Sequence, residues 1–214
     1  MSFDKKLNNI FEILYNTFGP QHWWPGDSPF EVAVGAILTQ NTNWSNVKKA
    51  IENLKKYKLL EPYKIYRIDH KKLSELIKSS GYYTIKAKRL KSFIDFLIKE
   101  YNGKIESMNN EDTLLLRKKL LSINGIGKET ADSILLYAIN KPIFVIDTYT
   151  KRILSRHGIS KDKDSYDYYQ NLFHKSLKKD VKLFNEYHAL IVKVGKTFCK
   201  SKRPLCDQCP LKGI

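Results

Sequence analysis

Asp147 stands where an apolar run, Ile143-Phe-Val-Ile146, gives way to the polar start of a helical pattern, Thr148-Tyr-Thr-Lys-Arg152. A carboxylate placed there accepts hydrogen bonds from the first free N–H groups of the helix, and an Asp before a helix is most often only such a cap. The same N–H groups would keep its pKa low and the group ionised at neutral pH, so capping and catalysis are compatible roles. Twenty residues before Asp147, the segment Asn124-Gly-Ile-Gly127 joins two helical patterns. Glycine suits a tight backbone turn or close approach by another backbone. The helix that follows at once offers free N–H groups and its positive dipole end to an anion. A plain helix–helix turn with a C-capping glycine would have the same sequence. Hairpin and carboxylate together suggest a protein that holds a nucleic-acid backbone and does chemistry beside it.

Two more clusters could carry chemistry. Trp23, Trp24 and Pro25 lie in a loop broken by Pro20, Pro25 and Pro29, and Trp44 follows Leu38-Thr-Gln-Asn-Thr-Asn43. Core packing is the ordinary role of any one tryptophan, but all three beside the polar Gln40 and Asn41 look more like a lined pocket. Cys199, Cys206 and Cys209 form C-x6-C-x2-C in a short basic tail. Thiolates so spaced in a reducing compartment usually bind a metal; three free thiols, or a zinc site completed by a histidine, are the alternatives.

The 38 Lys and Arg outnumber the 22 Asp and Glu, for a formal charge of +16. Such an excess favours a polyanionic partner and says nothing about fold. A Lys-rich genome would produce the same count. The chain is 12% aromatic, and aromatics among cations suit base stacking, though most belong in a core. The opening Met1-Ser-Phe-Asp-Lys-Lys6 does not read as a secretory signal. No apolar run approaches the roughly 18–20 residues of a membrane span. The expectation is a soluble, cytoplasmic protein without a membrane partner. An odd number of cysteines clustered at one end is not a disulfide framework.

The elements that must position these groups read helical almost throughout. Apolar residues recur at helical spacing over 5–18, 30–39, 45–56, 70–80, 85–101, 113–122, 129–140, 148–157, 165–178 and 184–197. The segment 30–39 is apolar all round and reads as a buried helix. No strand alternation with a hairpin signal is present, so the fold class is all-α. Neither an internal repeat nor a low-complexity linker is visible.

These segments resemble the helix-hairpin-helix DNA glycosylases of the endonuclease III superfamily. The resemblance runs from Phe30-Glu-Val-Ala-Val-Gly-Ala-Ile-Leu-Thr-Gln-Asn-Thr42 through Ser80-Gly-Tyr-Tyr-Thr-Ile-Lys-Ala87 to the cysteine tail. The pairing of Ile123-Asn-Gly-Ile-Gly-Lys128 with Val145-Ile-Asp-Thr148 is its most specific part. It implies two all-α domains with a cleft between them: a six-helix domain with the hairpin over 22–132, a second domain from 1–21 and 133–198, and a Cys-rich loop over 199–214. It implies a monomer that flips a damaged base out of double-stranded DNA and cleaves its N-glycosidic bond. A prokaryotic, nucleoid-associated base-excision-repair enzyme without a nucleotide cofactor is expected. Asp147 matches the carboxylate that supports an oxocarbenium-like sugar or activates water. Gln40 matches the residue that fills the gap left in the base stack. The backbone amides at Gly125 and Gly127 match the phosphate clamp, and Asn41, Lys128 and Thr130 are expected among the DNA-binding residues.

Two departures refine the resemblance. Bifunctional members carry a nucleophilic Lys two residues after the second hairpin glycine, where this chain has Glu129. Lys128 is adjacent, but one helical step rotates it by roughly 100°, so it cannot simply substitute. Without a Schiff-base Lys, strand cleavage should be weak or absent, and hydrolysis by water is the expectation. Gly125-Ile-Gly-Lys-Glu-Thr-Ala-Asp132, Leu38-Thr-Gln-Asn-Thr42 and Trp23-Trp-Pro25 are most similar to the 3-methyladenine glycosylase branch, in which Trp23, Trp24, Pro25 and Trp44 would line a base pocket. A cationic methylated adenine favours the electron-rich faces of Trp rings. An endonuclease III-like glycosylase/lyase on oxidised pyrimidines and a non-catalytic hairpin DNA-binding module are the alternatives. The second departure is in the tail. The superfamily's iron–sulfur loop is C-x6-C-x2-C-x5-C, so Cys199, Cys206 and Cys209 match three ligands of a [4Fe-4S] cluster and the fourth would fall one residue beyond Ile214.

Overall fold

The computed structural model describes residues 3–23, 26–161 and 163–214; Trp24 and Pro25, both expected in the base pocket, lie outside the described residues. Among the described residues all regular structure is helical. The chain forms two compact units, residues 24–141 and residues 1–23 with 142–214.

In the first of these, the helix α2 (Pro29–Leu38) begins where Ser28 accepts from the Glu31 N–H and Pro29 occupies the first turn. Eight of its ten residues are buried, as an apolar circumference requires. Around it pack α3 (Trp44–Lys56) and α6 (Tyr83–Tyr101). The helices α4 (Pro62–Arg67) and α5 (His70–Leu76) pack against α6. Six-residue α4 is too short to show periodicity in sequence; Pro62 at its first position is its only start signal. The pattern over 129–140 is not one α-helix. It divides into α8 (Lys128–Ser133) and a π-helical turn over Ile134–Ala138, which packs on α2. Residues 133–141 lie in the same compact unit as the hairpin. The other hairpin helix, α7 (Thr113–Leu121), joins α8 through a half-buried ion pair: Arg117 donates to both oxygens of the buried Asp132 carboxylate, at 2.6 and 3.0 Å.

The second unit is built from α1 (Phe3–Phe18), α9 (Thr148–Arg156), α10 (Tyr166–Ser176) and α11 (Val181–Thr197). Its core is aromatic. The Phe144 ring stacks on Phe173 at 3.7 Å and meets Phe184 and Tyr187 edge-on. Tyr187 is fully buried and donates its hydroxyl proton to the Leu7 carbonyl at 2.8 Å. These rings are packing residues, which accounts for part of the aromatic content read as suited to stacking bases. No helix of the described residues is long and apolar enough to cross a membrane.

Candidate nucleic-acid interface and catalytic carboxylate

The hairpin needs its two glycines for different reasons. Gly125 has φ +87°, and an added Cβ would lie 2.2 Å from Cγ of Arg89, so any other residue strains the backbone and forces the Arg89 side chain to shift. Gly127 has φ −89°, which any residue adopts. A Cβ there would meet nothing within 4 Å. Nothing inside the fold requires glycine at 127, and the space beside it is open to another backbone. Gly127 is the N-cap of α8 and brings no capping side chain. Lys128 and Glu129, the first two residues of α8, are exposed, and Thr130 is buried.

Gln40 is held against the hairpin. Its amide Nε2 donates to the Gly125 carbonyl at 3.0 Å and to Thr130 Oγ1 at 2.9 Å, and its Oε1 accepts from Arg89 Nη1. Next to it, exposed Asn41 adopts a left-handed backbone with φ +54°. A recess is lined by Gln40, Asn41, Tyr82, Ile85, Lys86 and Arg89. Lys86 is 1% exposed and donates to the carbonyls of Leu38 and Ser80, at 2.8 and 2.6 Å. It thereby pins the chain just before Gln40 to the chain just before Tyr82. Burial foremost, then the charge of Arg89, pushes its pKa down to about 8. Neither Lys86 nor Arg89 was singled out by sequence. The signal existed: Lys86 sits on the stripe Leu90, Phe93 and Leu97, where a helix facing a core should be apolar. Trp44 begins α3 under an Asn43 cap and rests on α2, with an imagined Cβ of Gly35 3.2 Å from its ring.

In the other unit, Asp147 caps α9 as expected. Its Oδ1 accepts from the Thr150 N–H at 2.7 Å and from Thr150 Oγ1 at 2.8 Å. Its Oδ2 lies 3.5 Å from Nε2 of His188, an electrostatic contact at the long limit of a hydrogen bond. The carboxylate is 8% exposed. Burial alone would raise its pKa; the His188 imidazole and the Thr150 hydrogen bonds outweigh that and hold it below the ordinary carboxylate value. His188 was missed in the sequence. It is a polar residue within the buried run Tyr187-His-Ala-Leu-Ile191 of α11, and that interruption was the available signal. The Trp23 indole stacks on its imidazole, with centroids 5.6 Å apart and planes inclined by 14°.

The approach of α9 to α11 fixes this geometry. Gly195 lies two turns along α11 from His188, and a Cβ there would be 2.3 Å from Cδ1 of Tyr149. Arg152 locks the contact by donating to the carbonyls of Cys199 and Gly195.

Arg156 extends the clamp into the tail, with Nη1 3.3 Å from Cys199 Sγ and 2.7 Å from the Lys200 carbonyl. Cys199 is buried, Cys206 is exposed on a one-turn 3-10 helix, and Cys209 is half-buried, with burial pushing its thiol pKa up. Among the described residues no three His, Cys, Asp or Glu side chains are gathered as a metal site. A [4Fe-4S] cluster takes four ligands. Cys199, Cys206 and Cys209 supply three thiols, one fewer than that ligand set.

The described residues thus form an all-α protein with a glycine hairpin and an ionised carboxylate capping a helix. Residues 34–179 match the family described as HhH-GPD superfamily base excision DNA repair protein. The chain is 53% identical over 208 residues to a protein of Methanocaldococcus jannaschii that carries the provisional name DNA repair glycosylase, covering 96% of this chain and 94% of that one. It is 31% identical to Endonuclease III of Thermotoga maritima, over 86% of this chain and 81% of that one. The solved 3-methyladenine DNA glycosylase of H. pylori, bound to 1,N6-ethenoadenine, superposes with a TM-score of 0.79 at 31% identity, covering 92% of this chain and 98% of that one. The chain belongs to the HhH-GPD superfamily. That membership makes it a base-excision-repair DNA glycosylase, with DNA as its partner.

Proposed function

We propose that this protein is a monofunctional glycosylase for alkylated purines such as 3-methyladenine, acting as a monomer on a base flipped out of duplex DNA. The observation that carries the reading is Asp147, a buried carboxylate kept ionised by its surroundings with one oxygen not used in the cap. In the proposed step, water attacks C1′ of the nucleotide and gives a proton to the Asp147 carboxylate. The N-glycosidic bond breaks with its electron pair leaving on the base. A purine alkylated at a ring nitrogen is cationic, so it departs neutral and needs no acid to protonate it. One carboxylate and an aromatic slot therefore suffice.

Glu129 supports the monofunctional half of the reading. It is an exposed carboxylate at the position where a lyase would carry its nucleophilic amine. Trp23, Trp24, Pro25 and Trp44 are proposed to line the base pocket. The H. pylori relative, named for 3-methyladenine and solved with another modified adenine, supports that choice. Gly127, with open space beside it, supports backbone contact to a phosphate at the hairpin, in which Gly125, Lys128 and Thr130 also take part. Gln40 and Asn41 are proposed to meet the DNA beside it. For Cys199, Cys206 and Cys209 only the spacing supports a cluster; iron and acid-labile sulfide in the purified protein test that point.

Duplexes carrying 3-methyladenine, or a stable analogue, test the substrate. Base release, with nicking only after hot alkali, is expected. No release from any alkylated purine overturns the substrate assignment. Nicking without alkali, with a borohydride-trapped adduct lost in Lys128→Ala, would instead establish a glycosylase/lyase like the oxidised-pyrimidine enzymes.

A further inference from the structure

The two oxygens of Asp147 do different work. Oδ1 is committed to the cap by two hydrogen bonds from Thr150, so its lone pairs face α9. Oδ2 is left for chemistry, and the group placed against it is the imidazole of His188. That ring is fixed on three sides. Its face lies on the Trp23 indole, its edge meets Phe144 at 6.3 Å and 88°, and its Nε2 points toward the carboxylate. Of these three neighbours only the carboxylate titrates. The helix that carries the ring cannot slide, because Gly195, seven residues on, is interlocked with Tyr149 two residues after Asp147. Two helices thus present one carboxylate and one imidazole in a set relation, with an indole closing the stack.

We propose that His188 is the positioning residue for Asp147: its imidazole, braced by Trp23, aims Oδ2 and keeps it available to the attacking water. The proposal rests on the reading of Asp147 as the catalytic carboxylate. Trp23, read from sequence as a wall of the base pocket, then has a second role. It is one ring away from the carboxylate, so whatever displaces Trp23 is felt at Oδ2 through the imidazole. A wholly structural His188 would fill the same space without affecting turnover.

Three variants separate these roles. His188→Phe keeps a ring against Trp23 and removes the N–H; His188→Gln keeps an N–H donor and removes the ring; Asp147→Asn tests the underlying reading. In His188→Phe, kcat should fall by roughly 100-fold, with KM for lesion DNA changed by less than about twofold. His188→Gln should recover part of the loss, and the carboxyl-carbon resonance of Asp147 should titrate at higher pH in His188→Phe than in the wild type. If His188→Phe turns over like the wild type on a substrate that Asp147→Asn does not cleave, the positioning role is overturned and the glycosylase reading stands. If Asp147→Asn is as active as the wild type, the reading of Asp147 fails, and this proposal with it. If no lesion is cleaved by the wild type, the resonance decides: an unchanged midpoint in His188→Phe overturns the contact, and an upward shift upholds it.

Discussion

The side-chain amide of Gln40 donates to the carbonyl of Gly125, 85 positions along the chain, at 3.0 Å. The same nitrogen reaches Thr130 Oγ1, and the amide oxygen accepts from Arg89. The loop after α2 and the glycine hairpin are therefore one polar unit. A residue expected to enter the DNA stack is, in this structure, bonded to both sides of the glycine hairpin.

Gln40→Glu tests these bonds. A carboxylate keeps the contact to Arg89 but cannot donate to Gly125 or Thr130. Loss of donors to buried partners costs about 1–3 kcal/mol, so the expected result is a lower unfolding midpoint together with weaker binding to undamaged duplex. Unchanged stability would show that the hairpin holds its shape without residue 40.

The two hairpin glycines should respond oppositely to alanine. Gly125→Ala places a side chain at a positive φ and against Arg89, so the fold itself should be destabilised by about 1–3 kcal/mol. Gly127→Ala meets neither obstacle. It should leave thermal unfolding nearly unchanged while DNA affinity, measured at fixed salt, falls. Equal effects on folding and binding at both positions would contradict an external role for Gly127.

Asp147→Asn keeps a capping side chain on α9, because Asn caps about as well as Asp. Excision should fall by roughly 10²–10⁴-fold with DNA affinity retained. The native carboxyl pKa lies below its ordinary value of 3.8, so its ionised form contributes stability that is present above that pH and lost as pH falls below it. Any stability advantage of the wild type over Asp147→Asn should therefore shrink on acidification below about pH 4. An advantage that grows in acid would reverse the sign of the shift.

Gly195→Ala inserts a methyl 2.3 Å from the Tyr149 ring. Overpacking of this kind costs about 1–3 kcal/mol. Because the strain falls between α9 and α11, excision should drop more than DNA affinity does. A paired loss of both would indicate general unfolding instead.

Lys86 titrates in the fold at about 8 against 10.5 in an unfolded chain. Between these values the unfolded state binds more protons, so the contribution of this group to stability rises with pH across that window. Relative to Lys86→Met, the wild type should gain stability between about pH 7.5 and about pH 9.5. Unfolding midpoints of both proteins at the two pH values measure it. A constant difference would mean the amine is not desolvated.

The sequence by itself determined what depends on near neighbours. Apolar spacing located α2, α3, α6 and α11; Asp147 before Thr148 was legible as a cap; and Gly125 and Gly127 marked the hairpin. Caps, turns and helix faces are set within a turn or two of chain, so their residues lie together in the text. Tertiary structure alone decided which distant groups meet. His188 reaches Asp147 across 41 positions because α9 and α11 close on a glycine, and Lys86 joins two carbonyls because α6 is buried against both segments. It also decided the surroundings of the three cysteines, Cys199 buried beside Arg156 and Cys206 exposed, since spacing fixes how near thiols could come and packing fixes where they stand.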